Sequence, residues 1–240
     1  MHDDKEGHRA VDIALKNFDN INLDLMYALP GQTLAEAQAD IEAVCAQGVT
    51  HISAYHLTLE PNTPFYLQPP KLPDEDTDAD MQIMIERVLA ERGYQHYETS
   101  AFSQPGKACV HNMNYWQYGD YLGIGAGAHS KISFAHRLVR QSRYREPQLY
   151  MQKALSGNAV AQDDDIKHKE LAFEFMLNAL RLKDGFDTSL FYERTGLLLS
   201  SIQPALTLAV DKKLLIQTPK SIKPTERGFD FLSDLQEMFL

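Results

Sequence analysis

The chain has 240 residues, of which 44% are hydrophobic, and a formal net charge of −10 at pH 7. A chain of this length buries enough apolar surface for one large domain, or for a larger and a smaller one. The acidic charge argues against broad binding to nucleic acid or to anionic lipid. The first residues lack the apolar segment of a signal peptide and no later stretch reaches membrane-spanning length, so the sequence predicts a cytoplasmic protein.

Helical and strand-like periodicities alternate along the first part of the chain. The predicted elements are helix 5–18, strand 21–29, helix 33–48, strand 51–59, helix 77–92 and strand 94–100. Thr33 and Glu36 have the spacing of a capping box at the start of the second helix. Such alternation is typical of a parallel sheet with helices on both faces, which indicates an α/β fold.

Polar residues interrupt two of these apolar strands. Asp24 lies in the middle of the first strand on its more polar face, and Thr58 lies near the carboxyl end of the second. In barrels and open α/β sheets, ligands bind at the carboxyl ends of the strands. Both side chains are therefore candidate ligand contacts. For Asp24 the alternative is a purely structural carboxylate that caps backbone or pairs with a lysine.

The stretch "HNMNYWQYGDYLGIGAGAHS", residues 111–130, mixes aromatic, amide and glycine residues. This mixture disfavours both regular elements, so the sequence predicts a shaped loop of the kind that holds a ligand. Residues 123–128 also satisfy G-x-G-x-x-[GA], but the following residues look extended, whereas a dinucleotide site requires a helix there. We interpret the glycines as positions where backbone passes close to a ligand or a neighbouring strand.

The pattern changes at about Asp163. An amphipathic helix follows, with four residues that can enter a core: Leu171, Phe175, Leu177 and Leu180. Short helices, two brief strands around residues 218–221 and a last helix then resemble a winged helix. Winged helices often bind DNA, so a nucleic-acid-binding regulator is one hypothesis. The segment 200–210, in the place of a recognition helix, has no basic residue, and we therefore predict a packing domain and no nucleic-acid partner.

Several motifs together resemble one known family. They are "NINLDLMYALPGQT", "HISAYHLTLEPNTPF", "YETSAFSQPGKACVHNMNYWQYGDYLGIGAGAHS" and the winged-helix-like tail, in this order and spacing. The chain resembles the oxygen-independent coproporphyrinogen III oxidase-like family of radical SAM proteins. Within it, the HN-x-x-YW signature of His111, Asn112, Tyr115 and Trp116 resembles that of the HemW-type haem chaperones.

The resemblance implies a fold and a domain organisation. We expect the C-terminal part of an incomplete (β/α) radical SAM barrel, followed by a winged-helix-like α+β domain. The implied segments are 1–100 as a partial barrel, 101–162 as a segment packed on the barrel, and 163–240 as the C-terminal domain. Full-length members bind S-adenosylmethionine and a [4Fe-4S] cluster.

One departure from the family concerns cysteine. The family's C-x-x-x-C-x-x-C motif is absent, and the only two cysteines, Cys45 and Cys109, are too far apart to share one loop. Three thiolates are needed for the cluster, so we expect none in this chain. The chain therefore resembles the C-terminal portion of such a protein. An uncovered edge at strand 21–29 would then favour self-association.

The S-adenosylmethionine contacts implied by the resemblance are Asp24, Thr58 and His129. His129 follows the glycine run, and a histidine in such a place is more often simply packed.

The haem contacts implied by the resemblance centre on His111 as the ligand of the iron. Tyr115 and Trp116 would offer flat apolar surface, and Asn112 or Asn114 would orient the imidazole. The alternative is a core-packed tryptophan beside a hydrogen-bonded histidine and asparagine. Cys109 is either a soft ligand or a small buried residue.

The resemblance implies a haem chaperone that binds haem and delivers it to target proteins. An enzyme related to the coproporphyrinogen III oxidase of porphyrin biosynthesis is the alternative within the family. Haem affinity without turnover distinguishes the first from the second. The nucleic-acid-binding regulator remains the hypothesis from a different class.

Overall fold

A computed structural model describes residues 4–240. The chain forms two compact units, one ending at Cys109 and the other spanning Val110–Leu240. The three segments predicted from the sequence remain a prediction, and the boundary expected after residue 162 falls inside a strand, Val160–Asp165. Within the described residues, no helix is both long and apolar enough to cross a bilayer.

The first unit is a mixed sheet with helices. Its helices are Asp4–Asn17 (α1), Leu34–Ala46 (α2), Pro64–Leu67 (α3) and Glu75–Glu91 (α4). Its strands are Asn22–Tyr27 (β1), His51–His56 (β2), Gln95–Glu98 (β3) and Ala101–Ser103 (β4). The α1, β1, α2, β2, α4 and β3 elements confirm the sequence prediction, whereas α3 and β4 were not predicted. The second strand ends earlier than predicted, so Thr58 lies outside it.

The sheet order is β1-β2-β4-β3. Strands β1 and β2 are parallel, as expected for a β-α-β unit, but β4 is antiparallel to both β2 and β3. The expectation of a fully parallel sheet was therefore wrong for β4, which is antiparallel to both of its neighbours. Only two residues separate β3 from β4, and so short a connection can join only antiparallel strands.

The core of this unit lies where α2 and α4 cover the sheet. Its largest fully buried side chains include Ile41, Ile52, Met81 and Leu89. The predicted capping box is present, because Thr33 Oγ1 accepts a bond from the Glu36 amide and the Glu36 carboxylate accepts one from the Thr33 amide. These two bonds satisfy amide groups that the first turn of α2 would otherwise leave unpaired.

The second unit begins with a helix and an antiparallel sheet. These elements are Val110–Trp116 (α5), His129–Phe134 (β5), Arg137–Arg143 (β6), Pro147–Leu155 (α6) and Val160–Asp165 (β7). Strand β6 pairs with β5 on one side and with β7 on the other. The β5–β6 hairpin confirms the extended structure predicted after the glycine run.

The rest of the unit combines short helices with a small sheet. The elements are Leu171–Ala179 (α7), Phe186–Asp187 (β8), Thr188–Thr195 (α8), a 3-10 turn at Leu199–Ile202, Gln203–Asp211 (α9), Leu215–Gln217 (β9), Ser221–Pro224 (β10), Glu226–Asp230 (α10) and Leu232–Glu237 (α11). The sheet order β8-β10-β9 is antiparallel throughout. Leu171, Phe175 and Leu180 enter the core as predicted, whereas Leu177 is 38% exposed.

Candidate functional site

The HN-x-x-YW signature lies on helix α5, so the prediction of a loop at its position was wrong. The helix ends in a left-handed cap, in which Tyr118 has φ 54° and the Gly119 amide donates to the Asn114 carbonyl at 2.7 Å. This hydrogen bond spans five positions, as the longer bond of a Schellman motif does. The residue in the left-handed conformation of that motif is usually glycine. A tyrosine there is strained, and its burial against the core compensates.

The His111 imidazole is exposed on α5. Its ring lies 6.3 Å from the ring of Tyr115, one helical turn later. Among residues 4–240, none forms a hydrogen bond or an ion pair with this imidazole. Both ring nitrogens are therefore available to a ligand.

The two asparagines of this segment differ in role. The Asn114 side-chain amide donates to the Asp120 carbonyl at 2.9 Å, which stabilises the turn after α5. Because the Asn114 amide group bonds to a backbone carbonyl, it does not donate to His111. Asn112 is half-buried and lies one turn before Trp116, on the same face of the helix.

Trp116 lies on a different side of α5 from His111, because five positions correspond to a rotation of about 140°. The Arg181 guanidinium carbon lies 4.5 Å from the centre of the Trp116 ring, and the Tyr115 ring meets its edge at 5.4 Å. The indole Nε1 is buried and has no hydrogen-bond acceptor among the described residues. Through these contacts Trp116 connects α5 to the residues after α7, and the contact of its ring with haem stays a prediction.

Tyrosines extend the aromatic surface beside His111. The Tyr115 and Tyr121 rings lie 4.8 Å apart, and their hydroxyl oxygens are 3.2 Å apart. Burial, and then the bond to Tyr115, raise the pKa of Tyr121. Tyr121 in turn pairs with Lys131 through two backbone hydrogen bonds. The aromatic side of α5 is thus joined to strand β5.

A buried cation supports this segment from β5. Lys131 is 2% exposed, and its ammonium donates to the Tyr118 carbonyl at 2.9 Å and to Asp120 at 3.1 Å. It also lies 4.1 Å from the centre of the Tyr118 ring. Burial lowers the pKa of Lys131, and the bond to Asp120 opposes this shift. No sequence signal indicated this lysine, since a lone lysine in an alternating strand predicts an exposed residue.

Tyr118 is also held from its other end. Its hydroxyl donates to the Glu174 carboxylate at 2.8 Å, and Arg140 donates to the same oxygen at 2.6 Å. Burial raises the pKa of Tyr118, and the bond to Glu174 raises it further. Residues far apart in the sequence therefore fix the end of the signature helix.

The glycine run is a close-approach segment. A side chain at Gly123 would collide with the carbonyl of His129, and Gly125 and Gly127 have positive φ of 113° and 72°. The run is followed by strand β5, not by a helix. A dinucleotide site is thereby excluded, and the expectation that the glycines let the chain pass a neighbouring strand is confirmed at Gly123.

The residues expected to contact S-adenosylmethionine lie in both units. Asp24 is exposed on β1, where its Oδ1 accepts a bond from Asn22 at 2.8 Å. Thr58 is exposed two residues after β2, and its hydroxyl lies 3.5 Å from the His56 carbonyl. His129 is the exposed first residue of β5.

A hydrogen-bonded network covers the sheet face around Asp24. His51 is 4% exposed; its Nδ1 donates to Asn22 Oδ1 at 2.6 Å, and its Nε2 accepts from the Tyr97 hydroxyl at 2.7 Å. Ser53 also donates to Asn22 Oδ1. Burial lowers the pKa of His51, although the charge of Asp24 acts in the opposite direction. Sequence reasoning missed this network, because Asn22 and His51 belong to different strands.

The cysteines do not fit an iron–sulfur cluster. Cys45 is buried on α2, where burial raises the pKa of its thiol, and Cys109 is half-buried at the end of the first unit. In the part of the chain that the structure describes, no three potential ligands are grouped around one metal position.

The chain is similar to known proteins both in one C-terminal domain and along its whole length. Residues 166–231 match the family model of the HemN C-terminal domain. The whole chain is 38% identical to the protein named "Heme chaperone HemW" of Haemophilus influenzae and 39% identical to that of Escherichia coli. The chain is thus similar to haem chaperones named HemW along its whole length. It spans 62% and 63% of the length of those two relatives. The family resemblance inferred from the motifs is confirmed.

A solved structure shows the same fold. Coproporphyrinogen III oxidase (HemN) from Escherichia coli matches with a TM-score of 0.78 at 19% identity, over 100% of this chain and 59% of that one. The chain thus has a mixed α/β fold that matches the C-terminal part of the radical SAM enzyme HemN.

Proposed function

We propose that this chain supplies the haem-binding helix of a haem chaperone. The observation that carries the proposal is the exposed His111 imidazole, which has no hydrogen-bond or ion-pair partner among the described residues and lies in the HemW-like signature on α5. A neutral imidazole is a common axial ligand of haem iron. The Tyr115 ring, one turn further along α5, offers apolar surface for the edge of a porphyrin. These residues fit a haem group.

The chaperone role includes delivery of haem to other proteins. The partners that we propose are haem and haem-receiving target proteins, and we propose a cytoplasmic location, as the sequence predicts. We also propose that residues 163–240 are a winged-helix-like packing domain. Because α9 presents no basic side chain, we propose no nucleic-acid partner for this domain.

We further propose that Asp24 contacts S-adenosylmethionine in the full-length protein, with Thr58 and His129 as additional contacts. The exposed Asp24 carboxylate, oriented by Asn22, fits a hydroxyl donor of the ligand. The cysteines present do not fit the [4Fe-4S] cluster, so no step through it is assigned to this chain. Anaerobic reconstitution should yield no stoichiometric cluster and no reductive cleavage of S-adenosylmethionine, and iron and sulfide analysis with product chromatography measures both.

An oxidase-related activity is the second candidate, favoured by the fold shared with HemN. A chaperone binds haem without converting a porphyrinogen. Titration of the chain with haem and with coproporphyrinogen separates the two candidates, since binding of the porphyrinogen in preference to haem would favour the enzyme.

Haem titration tests the proposed ligand. Wild-type chain should shift the Soret band of haem, and His111→Ala should weaken binding about tenfold or more, since it removes a coordinate bond. Trp116→Ala should weaken binding less, because Trp116 provides contact area only. His8→Ala, an exposed histidine of the other unit, is the matched control. If His111→Ala binds haem with unchanged spectrum and affinity, the ligand is elsewhere.

A further inference from the structure

A groove of about 600 Å³ lies in the Val110–Leu240 unit. The residues after α7, the end of α9, strands β9 and β10 and the start of α10 surround it. Ile216, Pro224 and Phe229 give it an apolar surface, and Ile216 is 43% exposed. The aliphatic parts of the lysine side chains in its lining extend this surface. The groove can therefore hold an apolar group of a ligand.

Close backbone contacts hold the walls of the groove together. A side chain at Gly185 would collide with the Ile222 carbonyl, so the turn after α7 lies directly on β10. The Thr225 hydroxyl donates to the Lys213 carbonyl at 2.8 Å and accepts a bond from the Gly228 amide at 2.9 Å. These bonds join the end of α9 to the start of α10. The backbone around the groove is thus preformed, which lowers the entropic cost of binding.

The lining of the groove carries more positive than negative side chains. Its four cations are Lys183, Lys213, Lys223 and Arg227. Its two carboxylates are Asp184 and Glu226. Lys213, Lys223 and Arg227 are exposed, and none of them forms an ion pair with a described residue. The positive excess is local, because the whole chain has a formal net charge of −10.

Lys213 occupies a backbone position that usually holds glycine. Its φ is 60°, and the Leu214 amide donates to the Ala209 carbonyl at 2.9 Å, which closes the end of α9. A cation at this place complements the helix dipole, but Lys212, one residue earlier, already provides that charge. The exposed Lys213 side chain therefore adds little to stability at a strained position, which is typical of a residue retained for binding.

We propose that the groove is a docking site for an acidic, extended segment of a partner protein. Carboxylates of the segment would pair with Lys213, Lys223 and Arg227, and an apolar side chain between them would pack on the apolar surface of the groove. Complementary charge of this kind speeds association and selects the partner. His111 does not line the groove, so the proposal goes beyond haem binding and does not depend on it.

The surroundings of the groove favour a protein segment over a nucleic acid. Nucleic-acid binding relies on many phosphate contacts along a basic surface, whereas the positive excess here is confined to one groove. Helix α9, which ends at the groove, has no basic side chain. The net charge of −10 also opposes the approach of a long polyanion. A short segment with few carboxylates and an apolar residue matches the groove better.

Fluorescence anisotropy with a fluorescein-labelled peptide of alternating glutamate and leucine tests the proposal. The peptide should bind, and its affinity should fall as the salt concentration rises, because exposed charges are screened. The double substitution Lys213→Gly and Arg227→Gln should weaken the affinity about tenfold through loss of two exposed charge pairs. Lys169→Gln, at an exposed position of the same unit outside the groove, is the matched control.

The single variant Lys213→Gly separates binding from folding. Glycine is preferred in the left-handed conformation, so this variant should melt close to the wild-type temperature. Its affinity for the acidic peptide should nevertheless fall about threefold through loss of one charge pair. Thermal melts of all variants establish that each is folded.

The outcomes that overturn the docking site are distinct. The first is no binding of the acidic peptide by wild-type chain, or equal affinities of the double variant and the Lys169→Gln control. The second is equal affinity for a peptide with glutamine in place of glutamate, since charge is then not recognised. The third is tighter binding of single-stranded DNA or of anionic lipid vesicles than of the peptide, lost in the double variant. His111→Ala should leave the peptide affinity unchanged, so failure of the docking site and failure of the proposed haem ligand are distinguishable.

Discussion

The sheet face around His51 and the helix around His111 hold the same side chain in opposite conditions. His51 is 4% exposed and both of its ring nitrogens are hydrogen-bonded, to Asn22 and to Tyr97. His111 is exposed, and no described residue bonds to it. A polar group that the fold already satisfies contributes to stability, whereas one that the fold leaves unsatisfied and accessible is available to a ligand. The predictions below test this contrast, from the largest expected effect to the smallest.

Lys131 should show the largest effect on stability. Lys131→Ala leaves the buried Tyr118 carbonyl without its donor and removes the ion pair with Asp120, so the free energy of unfolding should fall by about 3 kcal/mol. Lys131→Met, which keeps the apolar stem, should lose less. Urea denaturation measures both, and a Lys131→Met variant as stable as the wild-type chain would mean that packing alone explains the role of this residue.

The two histidines, His51 and His111, should differ clearly in their contribution to stability. His51→Ala leaves Asn22 and Tyr97 without their shared partner and should lower the free energy of unfolding by about 2 kcal/mol. His111→Ala should change it by less than about 0.5 kcal/mol, because an exposed side chain without bonds contributes little. Chemical denaturation of the two variants in parallel is the measurement. A similar fall in the free energy of unfolding of both variants would show that His51 and His111 do not differ in their contribution to stability.

The pH dependence of stability should depend on His51. Burial lowers its pKa in the folded state, so the unfolded chain binds a proton more readily. The contribution of neutral His51 is therefore complete above the ordinary histidine pKa of about 6.5 and is lost as the pH falls below it, at no more than about 1.4 kcal/mol per pH unit. Denaturation of the first unit at pH 7.5 and 5.5 should show a difference that His51→Gln reduces. A His51→Gln variant with the full wild-type pH dependence would assign it to another group.

Self-association through β1 should be the weakest effect. Strand β1 is at the edge of its sheet and pairs only with β2 among the described strands, and its Met26 side chain is 46% exposed. An uncovered edge can pair with a second copy, and a charged residue on the edge discourages it. Light scattering over a range of concentrations should show association that Met26→Lys reduces. A stable monomer at every concentration would count against the expectation.

Local sequence determined those parts of the molecule whose signals are local. The capping box of Thr33 and Glu36, the parallel β1–β2 pair and the β5–β6 hairpin follow from spacing and periodicity, and all are present. The HN-x-x-YW signature and the neighbouring motifs likewise identified the family. These features depend on residues a few positions apart, which a single sequence displays directly.

Tertiary structure decided what distant residues contribute. Helix α5 forms in a segment whose composition favours a loop. Tyr118, which ends this helix with a left-handed backbone conformation, is stabilised there by its contacts with Lys131 and Glu174. Strand β4 makes part of the sheet antiparallel, and the bonds of buried Lys131 join it to Tyr118 and Asp120, which lie before the glycine run. Burial and hydrogen-bond satisfaction arise from three-dimensional packing. The sequence alone therefore identified His111 as a candidate ligand. Only the fold shows that His51 is buried and hydrogen-bonded, whereas His111 is exposed and forms no hydrogen bond with the described residues.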